Sequence, residues 1–257
     1  MKIAISGKGG VGKTLLSSLL SRTFAEAGYS VLAIDADPNS NLAATLGFPH
    51  PDDITPISEM RALIEERTGA EPGKTGGFFK LNPKVDDLPG KYFQEHNGIR
   101  LMVMGRIKKG GTGCYCPENT LLKALTTHLL LERDEVVIMD MEAGVEHLGR
   151  ATARAVDKLI IVVEPSQRSI DTAFRINKLA QEIGINNIVI VANKIRNQSD
   201  KDSLTSSLSG FEFLGFIPYD QAIVDADLSN HPVLDASQPV VNEVRKIYHA
   251  LLPTALS

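Results

Sequence analysis

A glycine-rich segment near the start of the chain constrains the possible folds more than any other stretch of the sequence. The pattern G-x-x-x-x-G-K-[ST] is matched by Gly7-Lys8-Gly9-Gly10-Val11-Gly12-Lys13-Thr14. The apolar residues 2–6 before it are typical of a short buried strand, and the apolar residues after it recur at helical spacing until Gly28. Strand, glycine loop and helix in this order predict a phosphate-binding loop.

The residue types in this loop suit the binding of ATP and Mg²⁺. Glycines let successive backbone N–H groups turn inward around phosphate oxygens, and the N-terminus of the following helix adds a partial positive charge. Lys13 is expected to reach the β- and γ-phosphates, where it would act in catalysis, and the Thr14 hydroxyl is expected to bind Mg²⁺. The predicted nucleotide site therefore includes the whole loop and Leu15 directly after it.

Apolar segments alternate with helical patterns along most of the chain. The predicted strands are 2–6, 30–35, 99–104, 135–140, 158–163, 187–193 and 212–217. Helices between them predict parallel pairs joined by right-handed crossovers. The expected fold class is therefore α/β, a doubly wound, mostly parallel sheet of seven to eight strands with helices on both faces, forming one domain over residues 1–257.

Residues 69–98 are the least regular part of the sequence and are rich in glycine, proline and lysine. This stretch contains too few apolar residues to build a core of its own. It is predicted to be an insertion that lies over the sheet, with residues 78–81 as a short edge strand.

The charge balance gives no indication of a nucleic-acid or membrane partner. The formal net charge is −4 and the isoelectric point is about 5.9, so the chain lacks the overall positive charge that favours nucleic acids and anionic membranes. The N-terminal apolar run is too short for a signal peptide, and no apolar run approaches the ~20 residues that span a bilayer. We therefore expect a cytoplasmic protein.

Acidic residues follow two of the predicted strands, where ligands of parallel sheets bind. Asp140 ends an apolar strand as a Walker-B carboxylate does when it holds Mg²⁺ through water, and Gly144 could offer a backbone N–H to a γ-phosphate. Asp37 lies just past the second strand and is the better candidate for orienting the attacking water, although a structural turn is the alternative. Asp35 still belongs to the strand end, where packing or the Mg²⁺ shell is favoured.

The two cysteines of the chain, Cys114 and Cys116, are separated by one residue. Two thiolates at this spacing can bind one soft or borderline metal together but cannot supply four ligands. A two-fold dimer would bring a second pair and complete a tetrahedral S₄ site. Buried structural cysteines and a redox disulfide remain as alternatives. His147 could add a nitrogen ligand, although a helix cap or a surface contact is favoured for it.

Lys8 indicates a family. The general loop pattern allows any residue at its position, but the spelling Gly-Lys-Gly-Gly-Val-Gly-Lys-Thr resembles the deviant Walker A motif of nitrogenase iron protein, septum-site ATPases and plasmid-partition ATPases. The resemblance implies that Lys8 reaches across a nucleotide-sandwich dimer and stabilises transition-state charge on the partner's phosphates. It also implies that two strand ends, Asn193-Lys194 and the segment around Pro218, form the adenine pocket.

A second set of segments narrows the resemblance. Lys108-Lys109-Gly110-Gly111 leads into the cysteine pair, and Asp140-Met141-Glu142-Ala143-Gly144-Val145-Glu146-His147 follows. With these segments the chain resembles, almost end to end, the accessory ATPases that insert nickel into carbon monoxide dehydrogenase. The resemblance implies a homodimer that binds ATP and Mg²⁺, holds Ni²⁺ or Zn²⁺ at a shared cysteine site, and delivers metal to that client. This chain differs from such ATPases at Leu15, where they commonly have threonine.

Other functions remain open on the sequence alone. Iron–sulfur electron carriers of this family have cysteines that lie far apart in the sequence. The close spacing of Cys114 and Cys116 therefore argues against an iron–sulfur cluster. A partition or positioning ATPase would lack the cysteines, and a metal-storage module would leave Lys8, Asp37 and Asp140 without a role. The related ATPase that matures acetyl-CoA synthase has the same motifs, so they do not identify the client enzyme.

Overall fold

One sheet of eight strands organises the described part of the molecule. The computed structural model describes residues 1–70, 78–105, 117–131, 135–145, 147–229 and 231–252. The strand order is β3-β4-β2-β5-β1-β6-β7-β8, and every neighbouring pair is parallel except β3 and β4. The strands are β1 (Lys2–Gly7), β2 (Val31–Ala36), β3 (Gln94–His96), β4 (Ile99–Val103), β5 (Val136–Met141), β6 (Lys158–Val163), β7 (Ile188–Ile195) and β8 (Glu212–Pro218).

Helices cover both faces of this sheet. They are α1 (Lys13–Glu26), α2 (Leu42–Thr45), α3 (Arg61–Thr68), α4 (Leu88–Tyr92), α5 (Pro117–Leu131), α6 (Arg150–Ala153), α7 (Gln167–Ile183), α8 (Gln198–Ser207), α9 (Gln221–Leu228) and α10 (Gln238–Leu251). The doubly wound α/β architecture predicted from the sequence is confirmed, and so are all seven predicted strands, within one or two residues at their ends.

The apolar strands divide their side chains between two cores. In β2, Leu32 and Ile34 join the core beneath α3, α5, α7 and α8, whereas Val31 and Ala33 join the core beneath α1 and α10. This division follows from the alternation of side chains along a strand, and burial on both faces explains why the strands are almost continuously apolar. Phe24 of α1 is completely buried and packs edge-to-face on Tyr248 of α10, with ring centroids 4.8 Å apart.

The edge strand of the insertion is not where the sequence analysis placed it. Residues 78–81 form no strand; Phe78 is fully exposed, and Lys80 donates its backbone N–H to the carbonyl of Thr68 at the end of α3. The edge strand is β3, which pairs antiparallel with β4. Asn97 and Gly98, with φ of 49° and 74°, form the tight turn between them. An Asn-Gly pair is the usual hairpin signal, and the prediction overlooked it.

The ends of several helices have identifiable local causes. A 3₁₀ turn, Ile57–Glu59, precedes α3, which begins at Arg61, and α2 is a single turn. Helix α5 begins at Pro117, because proline suits the first turn of a helix, and Ser237 caps α10 by accepting the backbone N–H of Val240.

The strand order places the C-terminal ends of the central strands at one edge of the sheet. Strand β1 lies between β5 and β6, and the chain winds outward from it in both directions. Ligands of such sheets bind beyond the carboxyl ends of the strands, at the point where the winding direction reverses. The loops that follow β1, β2, β5, β6 and β7 therefore meet around the glycine loop.

Candidate functional site

The glycine loop between β1 and α1 has the backbone geometry of an anion cradle. Gly10 and Gly12 have φ of 76° and 97°, in the left-handed region that glycine adopts at least cost. A Cβ at Gly12 would lie 2.2 Å from Nδ2 of Asn193, and one at Gly7 would lie 2.5 Å from the carbonyl oxygen of Val162. The glycines at both positions are thus required by contacts with neighbouring strands.

Four residues that the sequence analysis assigned to catalysis or Mg²⁺ meet just beyond this loop. Thr14 Oγ1 donates to Asp140 Oδ2 at 2.7 Å, so the predicted Mg²⁺ ligand and the Walker-B carboxylate are in direct contact. Lys13 is buried, and its Nζ lies 3.4 Å from Oδ2 of Asp37. The structure therefore brings Lys13, Thr14, Asp37 and Asp140 together, although they come from three separate segments of the chain.

Asp140 fits a role in the shell of a divalent cation. Its Oδ2 accepts from Thr14, while its Oδ1 is buried and accepts no hydrogen bond from the described residues. A buried carboxylate oxygen without a donor suits a cation or its bound water. Burial raises the pKa of Asp140 to about 6, against the opposing effects of the Thr14 hydrogen bond and the Lys13 charge.

Asp35 organises the loop that carries Asp37. Its two carboxylate oxygens accept the backbone N–H groups of Leu42, at 3.0 Å, and Asp37, at 3.2 Å. Asp35 is fully buried and is the register partner of Asp140 on the neighbouring strand. Burial raises the pKa of Asp35 to about 7, and the negative charge of Asp140 adds to this effect. These contacts fit packing, which is one of the two roles that the sequence analysis left open for Asp35.

Gly144, the predicted γ-phosphate sensor, is held by a residue that the sequence analysis missed. Ser6 Oγ lies at the end of β1, donates to the carbonyl oxygen of Glu142 at 2.7 Å and accepts the backbone N–H of Gly144 at 3.2 Å. The only sequence signal for this contact is one hydroxyl residue in an otherwise apolar strand. The loop after β5 is thereby fastened to the strand that precedes the glycine loop.

Glu164 is a second residue that the sequence analysis missed. It directly follows β6, and its carboxylate accepts from Lys8 Nζ at 2.8 Å and from Lys194 Nζ at 2.9 Å. Lys194 also donates to the carbonyl oxygen of Gly10 at 2.7 Å, and its own backbone has a φ of 58°. Left-handed backbone is costly for a lysine and is often found at functional sites. An acidic residue before a proline at a strand end was the available sequence signal.

The predicted base-binding residues line one cavity of about 290 Å³. It is bounded by residues of the glycine loop, β7, β8 and α9, namely Gly10, Gly12, Leu15, Asn193, Lys194, Pro218, Tyr219, Ile223 and Val224 among others. Asn193 Nδ2 donates to the carbonyl oxygen of Val11 at 2.8 Å, and its Oδ1 accepts the backbone N–H of Lys194. In this state the Asn193 amide therefore joins β7 to the glycine loop, with its donor and acceptor both engaged.

The predicted metal site cannot be compared with the structure. Cys114, Cys116 and the basic loop before them belong to residues 106–116, outside the described residues. Within the described ranges, no group of three or more histidine, cysteine, aspartate or glutamate side chains is arranged to bind a metal. The described chain resumes at Pro117, the first residue of α5.

Comparison with known proteins agrees with this geometry. A family model described as the CobQ/CobB/MinD/ParA nucleotide binding domain matches residues 2–233. The chain belongs to the CobQ/CobB/MinD/ParA family. The protein is therefore an ATPase with the nucleotide-binding domain of this family.

Two relatives match the chain over almost its whole length. An uncharacterised ATP-binding protein of Methanocaldococcus jannaschii is 47% identical over 255 residues, which cover 98% of each chain. The carbon monoxide dehydrogenase accessory protein CooC of Rhodospirillum rubrum is 44% identical over 254 residues, covering 98% of this chain and 96% of that protein.

The fold of the family is also seen in solved structures. The MinC:MinD cell division protein complex of Aquifex aeolicus contains a chain that superposes with a TM-score of 0.70 over 99% of this chain and 98% of that one. Its sequence identity is 21%, so this likeness concerns the fold. Among the helices that the structure describes, none is both long and apolar enough to cross a membrane.

Proposed function

We propose that this ATPase is a nickel chaperone that helps to insert Ni²⁺ into carbon monoxide dehydrogenase. The observation that carries the proposal is the 44% identity, over 98% of the chain, to an accessory protein of that enzyme. The adjacent thiols Cys114 and Cys116 supply a chemical reason, since thiolates bind soft and borderline metal ions. The identity of the enzyme that receives Ni²⁺ is also a proposal, because the relative with 47% identity is uncharacterised.

In the proposed assembly two copies of the chain form a homodimer, each copy a single ATPase domain. Each copy contributes two thiolates, and the four together would hold one Ni²⁺ or Zn²⁺ as cargo. Lys8 of one copy would reach the phosphates bound to the other, where its charge stabilises the transition state. The symmetry explains how a chain with only two cysteines could complete a metal site.

The residues around the glycine loop suggest how ATP would be hydrolysed. Mg²⁺ bound with the nucleotide would neutralise phosphate charge, held by Thr14 directly and by Asp140 through water. Lys13 Nζ lies 3.4 Å from Asp37 Oδ2. Phosphate oxygens would draw Lys13 away and leave Asp37 free to orient a water molecule and accept its proton. The water oxygen bonds to the γ-phosphorus as the bond to the β–γ bridging oxygen breaks, giving ADP and phosphate.

The proposal is tested first by solution mass under anaerobic conditions. The nucleotide-free protein is measured with and without one Ni²⁺ per two chains, alongside the double variant Cys114→Ser/Cys116→Ser. We expect Ni²⁺ to convert monomer to dimer in the wild type and to leave the double variant monomeric. A solution mass that changes neither with Ni²⁺ nor with the cysteine substitutions would refute the shared thiolate site.

A second measurement tests the client. Nickel-free carbon monoxide dehydrogenase is incubated with Ni²⁺, ATP and either the wild-type protein or the cysteine double variant. We expect the wild type to increase the recovered dehydrogenase activity and the variant to have no effect. Equal recovery with both proteins would refute delivery to this client while leaving the ATPase assignment intact.

A further inference from the structure

Glu164 holds two lysines of the nucleotide site on its own protomer. Its Oε1 accepts from Lys8 Nζ at 2.8 Å and its Oε2 accepts from Lys194 Nζ at 2.9 Å. The Glu164 side chain is 16% exposed and the Lys8 side chain 34% exposed, so the contact is partly screened from water. We call these three residues the Glu164 clamp.

The clamp has a rigid base. The backbone N–H of Glu164 donates to Ser169 Oγ at 3.0 Å, and its carbonyl accepts the backbone N–H of Ser166 at 2.6 Å. Both serines belong to the start of α7, where Ser166 is the N-cap. Burial alone would raise the pKa of Glu164, but hydrogen bonds from the two lysines hold it below its usual value, so the carboxylate is charged.

The clamp competes with the role proposed for Lys8. While Lys8 donates to Glu164 its charge is neutralised on its own protomer, so phosphates on a partner must compete with this carboxylate for the ammonium group. Lys194 differs, because its Nζ also donates to the carbonyl oxygen of Gly10. When Lys8 leaves, Lys194 can therefore stay beside Glu164 and prevent the carboxylate from being left as an unpaired charge.

We propose that Glu164 is a positioning residue that keeps Lys8 folded back on its own protomer until the phosphates of a partner's ATP displace it. The inference rests on the proposed function, because it requires Lys8 to act across a dimer. ATP carries one more phosphate than ADP and competes more strongly for the amine. Glu164 thus makes dimer formation depend on ATP and suppresses hydrolysis in the single protomer.

The clamp itself is tested on the nucleotide-free, full-length protein. The rate at which an acylating reagent modifies Lys8 is measured by mass spectrometry for wild type, Glu164→Gln and a control, Glu182→Gln, at an exposed position of α7. Losing the charge of the acceptor should speed modification of Lys8 about three- to tenfold, because charge-assisted hydrogen bonds are about twice as strong as neutral ones. The control should match wild type. Equal Lys8 rates in all three proteins would overturn the clamp.

The effect of the Glu164 clamp on dimer formation is tested by measuring ATP turnover at increasing protein concentration. We expect Glu164→Gln to reach half-maximal turnover at about a three- to tenfold lower concentration than wild type, and to dimerise detectably with ADP. In a Lys8→Ala background, where turnover should be lost, dimer formation with ADP and with a non-hydrolysable ATP analogue is followed by solution mass instead. There Glu164→Gln should cause no shift in dimer formation, and a shift that persists without Lys8 would indicate a merely structural effect and would refute the positioning role.

The Lys8→Ala and Glu164→Gln variants distinguish a failure of the proposed dimeric mechanism from a failure of the role proposed for Glu164. If Lys8→Ala turns over ATP like wild type at every protein concentration, the trans role of Lys8 is wrong and the proposed dimeric mechanism fails. If Lys8→Ala loses turnover while Glu164→Gln equals wild type in both acylation and concentration dependence, only the inference about Glu164 is wrong.

Discussion

At the scale of single residues, the glycine loop must leave space for the side chain of a residue on a neighbouring strand. Gly12 is the N-cap residue of α1 and has a φ of 97°, and its missing side chain leaves space for Asn193, whose amide donates to the carbonyl of Val11. The glycine loop and the end of β7 are held together through this space. Any side chain at Gly12 would have to displace the Asn193 amide or move the loop.

The substitution Gly12→Ala is expected to lower the free energy of unfolding by about 2 kcal/mol, because it combines a strained φ with a Cβ placed 2.2 Å from Asn193 Nδ2. Urea denaturation measures the effect. Gly9→Ala is the matched control, because a Cβ at Gly9 would meet no atom within 4 Å. A loss of stability as large at Gly9 as at Gly12 would contradict the steric explanation.

Ser6 decides how firmly the loop after β5 is held before nucleotide binds. Its hydroxyl is fully buried and accepts the backbone N–H of Gly144 at 3.2 Å, and the same N–H also donates to the carbonyl oxygen of Glu142 at 2.7 Å. This N–H is the group proposed to sense a γ-phosphate, so ATP would have to compete with both acceptors. The Ser6 hydroxyl therefore sets part of the cost of moving the loop.

We expect Ser6→Ala to lower the free energy of unfolding by about 1 kcal/mol, because the loop loses the buried hydroxyl that joins it to β1. The same change should raise the affinity for an ATP analogue relative to ADP by a few fold, which isothermal titration measures. Ser21→Ala is the control, since that buried hydroxyl bonds only to the Ser17 carbonyl one turn earlier among the described contacts. An unchanged affinity ratio would show that Ser6 does not restrain the sensor.

At the scale of elements, the pairing of β2 with β5 places two buried carboxylates side by side. Asp35 and Asp140 are register partners, with pKa values raised to about 7 and about 6. A carboxyl group whose pKa is higher in the folded chain binds more protons there than in the unfolded chain. The contribution of these groups to stability is therefore full below pH 4 and is lost as the pH rises towards 7.

The nucleotide-free protein should accordingly lose stability between about pH 4 and pH 7 through these groups, with Asp35 accounting for at most about 4 kcal/mol. Urea denaturation across this range tests the slope. Asp35→Asn should flatten it, whereas the exposed control Asp53→Asn should keep the wild-type slope. A slope that is the same in Asp35→Asn and wild type would exclude Asp35 as its source.

At the scale of the whole molecule, one edge of the sheet carries the groups that we propose to respond to nucleotide. The loop holding Gly144 follows β5, and β5 is preceded along the chain by α5, whose first residue is the neighbour of Cys116. A γ-phosphate that draws Gly144 away from Ser6 would act on a segment close in sequence to the proposed cargo site. This arrangement suggests a coupling between ATP and metal in the proposed dimer.

Such coupling must be reciprocal, because linkage requires each ligand to change the affinity of the other by the same factor. We expect a non-hydrolysable ATP analogue to change the Ni²⁺ affinity by on the order of tenfold, and Ni²⁺ to change the analogue's affinity equally. Titration of each ligand in the presence of the other measures both factors. In Cys114→Ser/Cys116→Ser the effect of Ni²⁺ should disappear, and two independent affinities in the wild type would refute the coupling.

Sequence by itself determined the features that depend on neighbouring residues. The glycine loop, the seven strands and the main helices were predictable because backbone geometry and side-chain periodicity are local. The positions of Asp37, Asp140 and Asn193 near the loop were also predictable, since parallel strands end at the same edge. The hairpin at Asn97-Gly98 was equally local, and the stronger apolar character of residues 78–81 led the prediction away from it.

Only the tertiary structure decided which distant groups touch. Lys8 meets Glu164 across 156 residues, and Ser6 meets Gly144 across 138 residues. No local pattern encodes such pairs, because they depend on strand order and register, which arise when the two faces of the sheet are buried together. The strand order β2-β5-β1-β6 is therefore the physical reason that one serine and one glutamate contact residues at the edge of the sheet that carries the glycine loop.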